Sequence, residues 1–132
     1  MKTPTVPMTP SINRMIVEEV RRLGIPAHLQ GYEYIKQGLV LEDPSVLNSV
    51  TTSLYPKVAQ EYGTTASRVE RSIRHALEMA LFRNATGYIE KLFRPYINPN
   101  TGKVTNSEFL AIVAETIRLE LGVYDQEEVK ND

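Results

Sequence analysis

TTASRVERSIRHALE, residues 64–78, decides the fold of this chain. At 100° per residue, Val69, Ile73, Ala76, Leu77 and Ala80 fall on one side of a helix, an apolar stripe that needs a core to pack on. Ser67, Arg71, Arg74, His75 and Glu78 fall on the other side, with Arg68 and Glu70 flanking them. Thr65 and Ser67 are both candidate N-caps, and Ser67 stands three residues before Glu70, the capping-box spacing. Just upstream, YPKVAQEYG (55–63) reads as a short helix, with Ala59 and Gly63 where it must pack closely and then turn. The two segments together predict a helix-turn-helix and make double-stranded DNA the first partner to consider.

Either cap leaves Arg68, Glu70 and Arg71 in the opening turns of the second helix, the part of a recognition helix that meets base edges. Arginine donates a bidentate pair to guanine O6 and N7, and glutamate accepts from cytosine N4. These three residues are therefore expected to read a short, mixed G/C sequence. Ser67, Arg74, His75 and Lys57 are expected to meet phosphates, which orient the protein without specifying sequence. The rival reading is a solvated helix face carrying an i,i+4 pair between Glu70 and Arg74.

Composition bounds the function without selecting it. A chain of 132 residues is one domain's worth, long enough to bury one helical core. It has no cysteine, which excludes disulfides and thiolate metal sites and is compatible with the reducing cytoplasm expected here. No apolar run approaches the roughly 20 residues that span a bilayer, and MKTPTVPMTP lacks the apolar core of a signal peptide.

The formal net charge of −1 runs against DNA binding when taken over the whole chain, because phosphate attraction usually comes with excess Lys and Arg. Its distribution answers the objection. From 120 to 132, Glu120, Asp125, Glu127, Glu128 and Asp132 face only Lys130, a balance of −4. From 57 to 94, seven bases (Lys57, Arg68, Arg71, Arg74, Arg83, Lys91, Arg94) face four acids (Glu61, Glu70, Glu78, Glu90), a balance of +3. So modest a surplus predicts modest non-specific affinity, and a homodimer or tandem pair on DNA.

The rest of the chain reads as helices. Residues 1–10, with three prolines, are expected to be a disordered arm or linker. Ser11 is the expected cap of a first helix carrying Ile12, Met15, Ile16, Val20 and Leu23, stopped at Gly24. A second helix is predicted at about 29–41 despite Gly31 and Gly38, and a short one after Pro44. Pro56 suits the first turn of the leading helix of the pair. Beyond the long helix at about 66–82, NATG is a break, YIEKLF (88–93) a short helix, and RPYINPNTGK (94–103) an exposed loop or small hairpin. Thr105 and Glu108 form a capping box ahead of a last helix with Phe109, Ile112, Val113, Ile117 and Leu121, stopped by Gly122. The expected fold is all-α: one bundle of about six helices over residues 11–122, built around the helix-turn-helix, with an acidic tail at 123–132.

Catalysis finds no foothold. His28 and His75 lack any metal-binding spacing, there is no Gly-rich phosphate loop or nucleophile elbow, and no cofactor or metal is expected. The paired acids Glu18 and Glu19 read as an exposed helix face, and of Tyr32 and Tyr34 at least one belongs to the core.

Three segments carry a family resemblance: LGIPAHLQGYEYIKQGL (23–39), SLYPKVAQEYGTTASRVERSIRHALEMA (53–80) and TNSEFLAIVAETIRLE (105–120). Over roughly residues 11–121 the chain resembles the C-terminal effector domain of the sporulation master response regulator of spore-forming bacteria. The resemblance implies an all-α domain that binds a short G/C-containing DNA element and regulates transcription with RNA polymerase sigma subunits. It further implies that Arg68, Glu70 and Arg71 contact bases and that Ser67, Arg74 and His75 lie against the backbone. Two departures stand out. Leu81-Phe82-Arg83-Asn84-Ala85 replaces a Trp-Ser-Arg-Gly-Asn-like stretch, and residues 84–104, implicated in polymerase contact in the family, match poorly. Nothing in the chain corresponds to the phosphorylatable receiver domain that precedes the effector in the family. The alternative function is a stand-alone paralogue that pairs with the regulator or polymerase without reading DNA.

Overall fold

A computed structural model describes residues 10–39 and 53–120. The expectations for the arm, the segment after Pro44, Leu121, the stop at Gly122 and the acidic tail lie outside those residues. The order is α1 (Pro10–Arg22), α2 (Gln30–Leu39), α3 (Tyr55–Tyr62), α4 (Ala66–Arg83), α5 (Tyr88–Phe93), a 3₁₀ turn (Arg94–Tyr96) and α6 (Asn106–Glu120). Among the described residues there is no strand, so the fold is the all-α bundle that the periodicity predicts.

The apolar stripe of α4 is the centre of the core. Val69, Ile73, Ala76, Leu77 and Ala80 are all buried; α2, α3 and α6 pack directly on α4, and the same core takes in Ile16 and Val20 of α1, Ile35 of α2, Val58 of α3 and Phe109, Leu110 and Val113 of α6. Phe93 from α5 packs on Phe109 with ring centroids 5.4 Å apart. Met15, expected in the core, is only half-buried.

Helix ends follow local chemistry. α1 begins at Pro10, so Ser11 lies inside its first turn and does not cap it; a proline there has a preset φ and no N–H to leave unpaired. Gly24, at φ +79°, ends the turn after α1. α3 carries Pro56 in its first turn, and Gly63 at φ +64° closes it with its N–H on the Ala59 carbonyl. Thr65, in extended backbone, caps α4 by accepting from the Arg68 N–H at 3.2 Å. Thr65 is thus the cap and Ser67 is not. The capping box of α6 forms in both directions, Glu108 N–H to Thr105 Oγ1 (3.2 Å) and Thr105 N–H to Glu108 Oε1 (3.3 Å).

One feature overturns the sequence reading, the burial of Glu19, and two others narrow it. The 94–103 stretch is no strand hairpin: after the 3₁₀ turn, the Asn98 side chain accepts from the N–H groups of Asn100 and Thr101, and the Asn98 N–H reaches the Lys103 carbonyl. An asparagine side chain that mimics a backbone turn favours such a closed loop over a ladder. Glu18 is exposed but Glu19 is 3% exposed. The Tyr88 hydroxyl donates to Glu19 Oε2 at 2.6 Å, and Arg22, which lies over the Tyr88 ring, is 3.8 Å from Oε1. Burial raises the Glu19 carboxyl above its ordinary range even though the tyrosine hydrogen bond works against it. Finally, Tyr32 and Tyr34 are both buried. Tyr34 meets Tyr62 of α3 edge-on, and Lys36 sits over the Tyr32 ring.

Candidate nucleic-acid interface

α3 and α4 are joined by the three residues Gly63–Thr65, and α4 runs 18 residues from that turn. Because its core stripe is fully occupied, the opposite side stands out as a ridge. Ser67, Arg68, Arg71, Arg74 and His75 are all exposed along it, and Glu70 is half-buried.

The ridge has two flanks of different make-up. On the α2 side, Arg68, Arg71 and His75 line a depression of about 480 Å³ with Gln30, Gly31 and Tyr34. On the α6 side, Glu70, Arg74 and Glu78 line one of about 590 Å³ with Tyr55, Lys103 and Asn106. Charge is distributed accordingly. Among the described residues Arg68 and Arg71 form no ion pair, whereas Arg74 holds Glu70 at 2.9 Å and Lys103 holds Glu78 at 3.1 Å. The α2 flank therefore carries the uncompensated positive charge. The Glu70–Arg74 pair of the rival reading exists, yet a carboxylate has lone pairs enough to accept from a second donor as well.

Six of the seven expected DNA-contacting residues thus come together on one ridge. Lys57 is set apart: it is exposed on α3 and lines a separate hollow with Gln37, Gln60 and Glu61.

Sequence reasoning missed two residues that support the ridge. Gly31 lies where α2 approaches α4 so closely that a Cβ would stand 2.7 Å from Ala76 Cβ and nearer still to the Ser72 carbonyl. Asn106, 8% exposed, donates from Nδ2 to Tyr55 Oη at 2.9 Å and to the Glu70 carbonyl oxygen at 3.1 Å. Burial raises the Tyr55 hydroxyl above its ordinary range, opposed by the bond from Asn106. The signal for Gly31 was a glycine near a helix start without a turn to explain it; Asn106 had none beyond its place after a capping residue.

An all-α domain built on a helix-turn-helix, with arginines along the outer face of its second helix, is of the class of DNA-binding transcription regulators. Residues 16–117 match the family described as "Sporulation initiation factor Spo0A C terminal", and the chain belongs to that family. Its members are DNA-binding domains of sporulation regulators, not enzymes. Among the described residues, no group of His, Asp or Glu could hold a metal ion and no helix is long and apolar enough to cross a membrane.

Proposed function

We propose that this domain regulates transcription by reading a short G/C-containing DNA element through α4, with Arg68, Glu70 and Arg71 at base edges. Ser67, Arg74 and His75 meet the flanking phosphates, and Lys57 adds a more distant phosphate contact from α3. One observation carries this reading: Arg68 and Arg71 are exposed and unpaired among the described residues, on the first turns of the second helix of the motif. A rigid ridge with one free basic flank and one ion-paired flank suits insertion between two phosphate walls. In this reading the domain works in the cytoplasm beside an RNA polymerase sigma subunit, as a homodimer or tandem pair on its site.

The test is a mobility-shift titration against a G/C-containing element and a scrambled duplex at fixed salt. Arg71→Ala should cost about 1–3 kcal/mol on the specific site and relax selectivity at one base pair. Arg74→Ala should weaken binding to both duplexes alike and reduce the salt slope by about one. Equal affinity of the unaltered domain for both duplexes would refute the proposal.

A second reading, a protein-interaction module, draws on Phe82, which is 87% exposed in the segment that departs from the family pattern. It stands 14 residues beyond Arg68, ~21 Å along the helix at 1.5 Å per residue, so a partner there leaves the ridge free. Pull-down of the full-length regulator or polymerase without DNA, lost in Phe82→Ser, would support it.

A further inference from the structure

We infer that Asn106 is a positioning residue for sequence reading, setting how α4 is presented to DNA through the Glu70 carbonyl. This deepens the function proposed above and rests on it.

Asn106 is the first residue of α6, and the reciprocal Thr105–Glu108 cap holds that turn in place. Three and four residues on, Phe109 and Leu110 are fully buried, so the amide is anchored at its root. Its Nδ2 has two hydrogens and both are used, one on Tyr55 at the start of α3 and one on Glu70 in the second turn of α4. A single amide therefore ties together the starts of three helices, two of them the helices of the DNA-binding motif. A helical carbonyl accepts from the N–H four residues on and keeps a second lone pair, which is the one Asn106 takes. Neither Asp nor Leu, close in size, could donate to both acceptors.

The bond lands at the reading residues. Glu70 is flanked by Arg71 and lies two residues from Arg68, and its side chain holds Arg74. Beyond the exposed Lys103–Glu78 ion pair two turns on, α4 is held by apolar contacts, which restrain separation but tolerate sliding and rotation more readily than a directional hydrogen bond. Without the amide, the first turns of α4 can turn about the helix axis while the core stays filled. Base edges require bidentate geometry and would register that change, whereas phosphate contacts from long side chains adapt to it.

The experiment compares Asn106→Ala, Asn106→Asp and Tyr55→Phe with Val113→Ala, a change at a fully buried core position two turns further along α6. Each is assayed for affinity to the specific and the scrambled duplex, and for amide hydrogen exchange in the free protein. Asn106→Ala and Asn106→Asp should lower the specific-to-scrambled affinity ratio by about 5- to 150-fold, the span of one misplaced bidentate base contact. Affinity for scrambled DNA and its salt dependence should stay as they were. Tyr55→Phe, which keeps the bond to Glu70, should lose less, and Val113→Ala should lower the melting temperature with the ratio intact. In the free protein, exchange should quicken at residues 68–74 and remain slow at 76–83. Should Asn106→Ala fail to fold, the near-isosteric Asn106→Asp carries the comparison. A normal ratio in a folded Asn106 variant would overturn the inference. Equal affinity of the unaltered domain for both duplexes would sink the proposed function instead, and the exchange pattern would then judge the positioning role alone: unchanged exchange at 68–74 overturns it.

Discussion

Replacing Gly31 with alanine sets two effects of opposite sign against each other. Alanine is the better helix former by about 0.8–1.0 kcal/mol in a helix interior and by less at Gly31, the second residue of α2, so propensity alone predicts a gain. Against it, the added Cβ would lie 2.7 Å from Ala76 Cβ and 2.8 Å from the Ser72 carbonyl carbon, with the Ser72 oxygen closer than either. Carbon atoms settle at roughly 3.5–4.0 Å, so α2 and α4 must part by ~1 Å at the most extensive helix contact among the described residues. None of the obstructing atoms has a rotamer to change. Overpacking of this kind costs about 1–3 kcal/mol, which outweighs a propensity gain below about 1 kcal/mol and leaves a net loss of up to about 2 kcal/mol. Gly38 supplies the control on the same helix: a Cβ there would meet Leu54 Cδ1 at 3.5 Å, an ordinary contact. Gly38→Ala should therefore gain roughly 0.5–1 kcal/mol. Urea unfolding followed by circular dichroism measures both, with the midpoint falling for Gly31→Ala, rising for Gly38→Ala, and the slope unchanged. A Gly31→Ala protein as stable as the unaltered chain would refute the claim that backbone contact, and not helix propensity, governs that position.

Thr65→Ala should cost about 1 kcal/mol by removing the cap on the Arg68 N–H, while Ser67→Ala should change stability little; thermal melts of the two discriminate the caps. Tyr88→Phe should destabilise by about 1–3 kcal/mol, because it strips a buried carboxylate of its hydroxyl donor. The pH dependence follows from Glu19. Its folded-state pKa is raised by burial above the ordinary 4.5, so the folded state binds the proton more tightly than the unfolded chain. That contribution is fully present below 4.5 and is lost as pH rises through the raised value. Glu19→Gln should flatten stability against pH across that mildly acidic window, and a profile parallel to that of the unaltered protein would contradict the assignment.

How far the fold could be read in advance differs from residue to residue. The stripe from Val69 to Ala80 was legible because a helix repeats every 3.6 residues and a domain of this size has one core to face. The turn at Gly63, the Thr105–Glu108 box and the exposure of Arg68, Arg71, Arg74 and His75 were legible for the same local reasons. Glu19 was not: its charge argues for water, and only Tyr88, 69 residues away in sequence, makes a buried position tolerable. Tyr32 and Tyr34 point to different sides of α2, yet both sides are covered, by neighbours that a helical wheel does not contain.

The candidate interface divides along the same line. Which residues lie on the outer face of α4 follows from periodicity alone, since that depends on the order of side chains along one helix. How that face is flanked and held depends on contacts between helices distant in sequence. Lys103 neutralises Glu78 on one flank while Arg68 and Arg71 stay free on the other, Gly31 lets α2 lie against the backbone of α4, and Asn106 reaches 36 residues back to the Glu70 carbonyl. Local chemistry chooses a helix and its phase. The approach of one helix to another is a matter of shape and directional bonding across space, and it is settled only when the whole core is assembled.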